Sequence, residues 1–123
     1  MTIDQAIAQV DSLRPNVIDH AKKIGWLTRV DQYIYSELME SREGAVIEEM
    51  PVYTEENGSK TLLAPPPYDE LYTYYLEAQI YYAEREITKF GSSMALYNEA
   101  MREYRKKYMR EHRAKPQPPV HYW

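Results

Sequence analysis

Cysteine is absent from the 123 residues, glycine occurs four times and phenylalanine once. The first absence rules out a disulfide framework, a thiolate metal site and a thiol nucleophile, and it is the usage expected in a reducing cytoplasm. Four glycines leave little room for a phosphate-cradling loop, and neither G-x-G-x-x-G nor G-x-S-x-G occurs. His20, His112 and His121 never stand at i, i+4 spacing, so no zinc or di-iron site is expected. No apolar run approaches the ~18–20 residues that a membrane span requires. The start, Met1-Thr2-Ile3-Asp4, opens an amphipathic pattern instead of a charged leader, and a soluble chain without an export signal is expected. Glu48-Glu49, Glu55-Glu56 and Glu84-Glu86 are acid pairs of the kind that loops and helix ends leave solvated. The chain is therefore expected not to be an enzyme, with no catalytic, cofactor-binding or metal-binding residue and no small-molecule substrate.

What is present is tyrosine and an uneven charge. The formal net charge of −4 combines a net −9 over residues 1–101 with a net +5 over residues 102–123. That split can orient an assembly of acidic and basic faces. The basic end also admits a DNA-facing reading, in which Arg102, Arg105, Lys106 and Arg113 line a channel or groove and touch phosphates. Against it stand the acidic remainder of the chain and the plain alternative of a solvated helix end.

Periodicity predicts an all-α, four-helix bundle-like domain over 1–113 with a small β-hairpin inserted between its second and third helices. Thr2 and Gln5 have capping-box spacing, and Ile3, Ala6, Ile7 and Val10 give the first helix one apolar stripe to about Leu13 before Pro15 breaks it. A second helix, from near Asp19 to about Ser41, carries Ile24, Leu27, Val30, Ile34 and Leu38, with Trp26 as a core or edge aromatic. Between Gly44 and Pro67 the helical period disappears. Asn57-Gly58 between strand-forming runs predicts a hairpin at about 51–63, packed on the helices or on a neighbouring subunit. Pro65-Pro66-Pro67 is expected to extend stiffly up to Tyr68.

Nine of the thirteen tyrosines lie between Tyr68 and Tyr108. The third helix is expected to run to about Phe90 with Tyr72, Leu76, Ile80, Ala83, Ile87 and Phe90 as its stripe. Gly91 would then end it, and Ser92 or Ser93 would cap the fourth helix. Met94, Tyr97, Met101, Tyr104 and Tyr108 step by three and four residues, the spacing of a two-helix seam. Tyr74, Tyr75, Tyr81 and Tyr82 are surplus to the stripes and are the candidate protein contacts, together with Trp123 at the end of the Pro-rich tail 114–123.

The segments Met1–Ile7, Val10–Asn16, Ile24–Leu27 with Val30-Asp31, Pro67–Tyr72, Tyr75–Ile80 and Ser93–Asn98 resemble the head-tail connector, or DNA-packaging adaptor, proteins encoded among the head and packaging genes of tailed bacteriophages and prophages. The resemblance covers about residues 1–110. It implies a mostly helical subunit that forms a ring with copies of itself beneath the portal, extends the DNA channel, makes at most non-specific DNA contact and presents a surface to the next adaptor or tail protein. It implies assembly in the host cytoplasm and a final place in the virion neck, with no membrane partner. It transfers no catalytic residue. Two other classes fit the residues: a regulatory helical binding module and a DNA-binding regulator acting through Arg102 to Arg113.

Overall fold

The first helix, α1 (Ile3–Leu13), illustrates why the inserted segment folds as it does. The free amides at its start are all accounted for. Gln5 N–H donates to the Thr2 hydroxyl at 3.1 Å while the Gln5 side chain accepts from Thr2 N–H at 2.9 Å, completing the capping box. Ile3 N–H donates to the Lys60 carbonyl at 3.1 Å and Asp4 N–H to that of Gly58 at 2.9 Å. The loop that was expected to pair with itself instead satisfies a helix end.

The computed structural model describes residues 1–116 and is all-α. Among these residues α1 is followed by α2 (His20–Ile34), which runs into a π-helical turn at Tyr35–Met39, then by α3 (Glu70–Ala83) and α4 (Ile87–Glu111). The β-hairpin at about 51–63 is not formed, and no strand occurs among the described residues. A 3₁₀ turn at Glu55–Asn57 takes its place, with Thr54 N–H donating to the Asn57 side chain at 2.8 Å. Gly58 has φ −55°, so Asn57-Gly58 does not supply the two positive φ values of a type I′ hairpin turn. Leu62 N–H donates to the Met1 carbonyl at 2.9 Å, extending the pairing with the start of the chain. The prolines bend instead of extending: Tyr68 N–H reaches back to the Pro65 carbonyl at 2.8 Å, and the Pro66–Pro67 peptide is cis.

The hairpin of α3 and α4 also turns at a different place from that expected. α3 ends at Ala83 in a Schellman arrangement, in which Arg85 N–H donates to the Tyr82 carbonyl and Glu86 N–H to that of Tyr81, at 3.0 and 2.9 Å. The left-handed position, φ 62°, is occupied by Arg85 where glycine is the usual residue. Arg14, just after α1, fixes the turn by donating to Glu84 and Glu86, both at 3.0 Å, with its guanidinium 4.5 Å from the Tyr81 ring centre. Gly91 consequently lies inside α4, Ser92 bonds the Thr88 carbonyl within the helix and Ser93 is buried. Ile87 is exposed and belongs to α4, so it drops out of the α3 stripe.

The core lies between all four helices. Ile3, Val10, Leu27, Ile34, Leu71, Leu76 and Ile80 are inaccessible to solvent, each contributing about 1.5–3 kcal/mol relative to exposure. Tyr97, Met101, Tyr104 and Tyr108 form the α4 side of the seam, with Met94 half-buried beside them. Among the described residues two charged side chains are buried, Lys23, which pairs with Asp11, and Asp31. Asp31 is fully buried on α2 and accepts hydrogen bonds from the Tyr53 hydroxyl, from the Tyr72 hydroxyl at 2.5 Å and from Leu63 N–H at 3.1 Å. Tyr72 passes the constraint on by accepting from Ala64 N–H at 2.7 Å. One carboxylate thus joins α2, α3 and both ends of the 53–64 segment.

Burial raises the Asp31 carboxyl above its ordinary 3.8, against the opposing pull of the two phenols and the Leu63 amide. Because the folded value is the higher one, the associated stability is complete below the unfolded value and is lost as pH rises through the folded value. Asp11 has the opposite sign: partial burial pulls it up, but hydrogen bonds from Lys23 (2.7 Å) and Asn16 (3.0 Å) outweigh this and hold it below its ordinary range.

Three outcomes follow for equilibrium urea unfolding. Asp31→Ala, which strands two phenols and an amide, costs about 2–4 kcal/mol. The stability advantage of wild type over Asp31→Asn widens as pH falls from neutrality through the carboxylate range, whereas an unshifted or lowered Asp31 gives a constant or narrowing gap. Gly91→Ala stabilises by about 0.5–1 kcal/mol, since an added methyl meets nothing within 4 Å; a glycine required at a helix end gives a loss.

Candidate functional site

Between α2 and α4 lies an open groove of about 640 Å³. Its floor is Val30, Tyr75, Tyr97 and Met101, and its rim carries Arg29, Arg102 and Arg105. The helical repeat places these groups together: Arg29 and Tyr33 are one turn apart on α2, and Asn98, Met101, Arg102 and Arg105 fall on one flank of α4 at spacings of three and four residues. Tyr75 and Tyr97 meet with ring centres 5.0 Å apart at 53°. Burial first, then the neighbouring Tyr75, Tyr33 and Asp31, push the Tyr97 hydroxyl far above its ordinary value, so it is a neutral phenol throughout the physiological range.

The rim is cationic. Arg102 pairs with Glu99, while among the described residues Arg29 and Arg105 have no acidic partner within ion-pairing distance. Guanidinium groups around an aromatic floor suit a partner that offers carboxylates or phosphates beside an apolar or planar group. Among the described residues no three His, Cys, Asp or Glu side chains converge.

The residues singled out from the sequence are divided by this geometry. Tyr75, Arg102 and Arg105 meet in the groove. Lys106 does not line it, and its ammonium lies 3.6 Å from Glu103. Arg113 is past the end of α4, where its carbonyl accepts from Glu43 N–H at 2.8 Å and the backbone forms a bridge between Arg42 and Ala114. Tyr74 donates to Glu70 at 3.2 Å and Tyr81 lies under Arg14, so neither is a free ring. Tyr82 is exposed, with its ring 5.2 Å from that of Phe90. Tyr74 and Tyr81 share one face of α3 and Tyr75 and Tyr82 another, so the four do not form one contact surface. Trp123 lies outside the described residues.

Arg29, Tyr33 and Asn98 were not singled out beforehand. Arg29 and Tyr33 carry a signal, an i, i+4 cation and ring beside the α2 stripe; Asn98 carries none. Asp31 also had a signal, because Leu27, Asp31 and Ile34 are spaced as stripe positions and an acid at such a position must find donors.

No protein-family model, curated protein or solved structure matches the chain.

Groove and fold separate in a denaturation experiment. Arg105→Glu, on the exposed rim, leaves stability within about 0.5 kcal/mol of wild type, whereas Tyr97→Ala costs about 3 kcal/mol because its ring fills the seam.

Proposed function

We propose that this chain is a structural adaptor of a tailed phage or prophage, a head-tail connector subunit that assembles into a ring at the portal vertex, extends the DNA channel and receives the next adaptor or tail protein. The observation that carries the reading is the arginine-rimmed, tyrosine-floored groove, which suits recognition of an acidic, partly apolar partner. The resemblance to connector proteins supports it, since the segments that carry it include the residues on which the fold rests: the Thr2–Gln5 cap, Leu27, Val30-Asp31, Leu71-Tyr72, Leu76 and Ile80. On this reading the subunit performs no chemistry, binds copies of itself and the portal, touches DNA at most non-specifically, and passes from the host cytoplasm to the virion neck.

The genes flanking this one test the proposal directly. Portal, capsid and maturation-protease genes alongside are expected, and a neighbourhood without any phage gene contradicts it. Negative-stain microscopy of the purified protein is expected to show closed rings with a central channel. Duplex binding that falls steeply with salt and disappears on charge reversal at Arg102 and Arg105, in a protein that forms no rings, would favour a DNA-binding regulator instead.

A further inference from the structure

The groove has a complement elsewhere on the same molecule. Residues 46–52 form a projecting loop in which Val46, Met50 and Val52 are 77%, 49% and 67% exposed. Glu48 and Glu49 add two exposed carboxylates between them, and among the described residues neither is ion-paired. The loop is held in place: Tyr35 donates its hydroxyl to the Glu48 carbonyl at 2.7 Å, and the Gln32 amide donates to the Pro51 carbonyl at 3.1 Å. Just beyond it, Tyr53 N–H donates to the Thr28 hydroxyl at 3.3 Å and the Tyr53 side chain is fixed on Asp31.

We infer that the 46–52 loop of one copy seats in the arginine-rimmed groove of the next, an inference that rests on the adaptor reading and names its self-contact. Val46, Met50 and Val52 match the Val30, Tyr75, Tyr97 and Met101 floor in apolar character, and Glu48 and Glu49 meet Arg29 and Arg105, which have no acidic partner among the described residues. The loop cannot fill its own groove. Thr28, Gln32 and Tyr35 tether it to one side of the α2 rod, whereas Arg29, Val30 and Tyr33 face the groove on another. A surface and its complement on different faces give a heterologous contact, which propagates head to tail and closes into a ring when the rotation permits. Because the loop is already held by backbone-directed bonds, docking loses little further chain entropy. The charge match sets register and makes association sensitive to salt.

Sedimentation velocity on the full chain tests this. Wild type is expected to self-associate with rising concentration and to dissociate as salt is raised. Arg29→Glu/Arg105→Glu, which repels the acidic loop, and Val46→Ser/Met50→Ser/Val52→Ser, which strips its apolar contact, should each weaken self-association at least tenfold. All five positions are solvent-exposed, and circular dichroism checks that both variants fold. An equimolar mixture of the two variants should form a heterodimer and nothing larger, because only one intact loop and one intact groove remain to meet. Wild type that stays monomeric at every concentration overturns the inference, and so does wild type that associates equally well with either surface altered. Rings built through other surfaces, or phage genes beside a monomeric protein, leave the adaptor reading standing while removing this contact. A heterodimer formed by a protein with no phage gene nearby does the reverse. Groove-dependent retention of duplex DNA without self-association assigns the groove to nucleic acid and also overturns the proposal.

Discussion

A buried carboxylate is an expensive group to place in a core, and the arrangement around Asp31 shows what offsets it. Two phenols and a backbone amide converge on its two oxygens, and the Tyr72 hydroxyl also accepts the Ala64 amide. An apolar residue at position 31 would leave those donors without partners in a medium where each orphan costs about 1–3 kcal/mol. The carboxylate is therefore the acceptor that lets a long non-helical segment lie against the helices without a sheet to satisfy its backbone. Burial first, and only then neighbouring phenols and the Asp31 charge, raise the Tyr97 and Tyr104 hydroxyls above their ordinary value.

The helices were legible in the sequence where one stripe and one cap agreed. α1 matches its expected bounds because Thr2, Gln5, Pro15 and the Ile3–Val10 stripe all give the same answer. The seam on α4 was legible from its stripe alone, because Tyr97, Met101, Tyr104 and Tyr108 are buried even though neither Ser92 nor Ser93 caps the helix. The turn between α3 and α4 was not, because a rule that looks for glycine at a left-handed position passes over Arg85, and what fixes that turn is Arg14, seventy residues away along the chain. The missing hairpin is another case of tertiary contacts overriding local preference. Val52–Leu63 has strand-forming residues, but its backbone partners are the open amides of α1 and the oxygens of Asp31. Tyr75, Arg102 and Arg105 stood out in the sequence, but as separate candidates for protein and DNA contact, not as one groove. The α2 half did not stand out, since Arg29 and Tyr33 acquire meaning only when α4 lies alongside.

These constraints converge on one division of labour. The polar groups in the interior serve the fold, so recognition falls to the surface, where an aromatic groove with a cationic rim and a projecting acidic loop occupy different sides of α2. The groove draws its cations from both parts of the chain, Arg29 from the acidic stretch and Arg102 and Arg105 from the basic end. The 53–64 segment closes the core on Asp31, and the chain just before it is held by Tyr35 and Gln32.

Native-state hydrogen exchange at the amides of Leu63 and Ala64 tests the Asp31 node most directly. If the node holds the segment to the helices, both amides exchange only through opening nearly as costly as global unfolding, at rates comparable to the buried turns of α2 and α3. Exchange of both amides at the rate of an exposed loop, while the helices remain protected, would contradict the claim that the fold depends on this carboxylate.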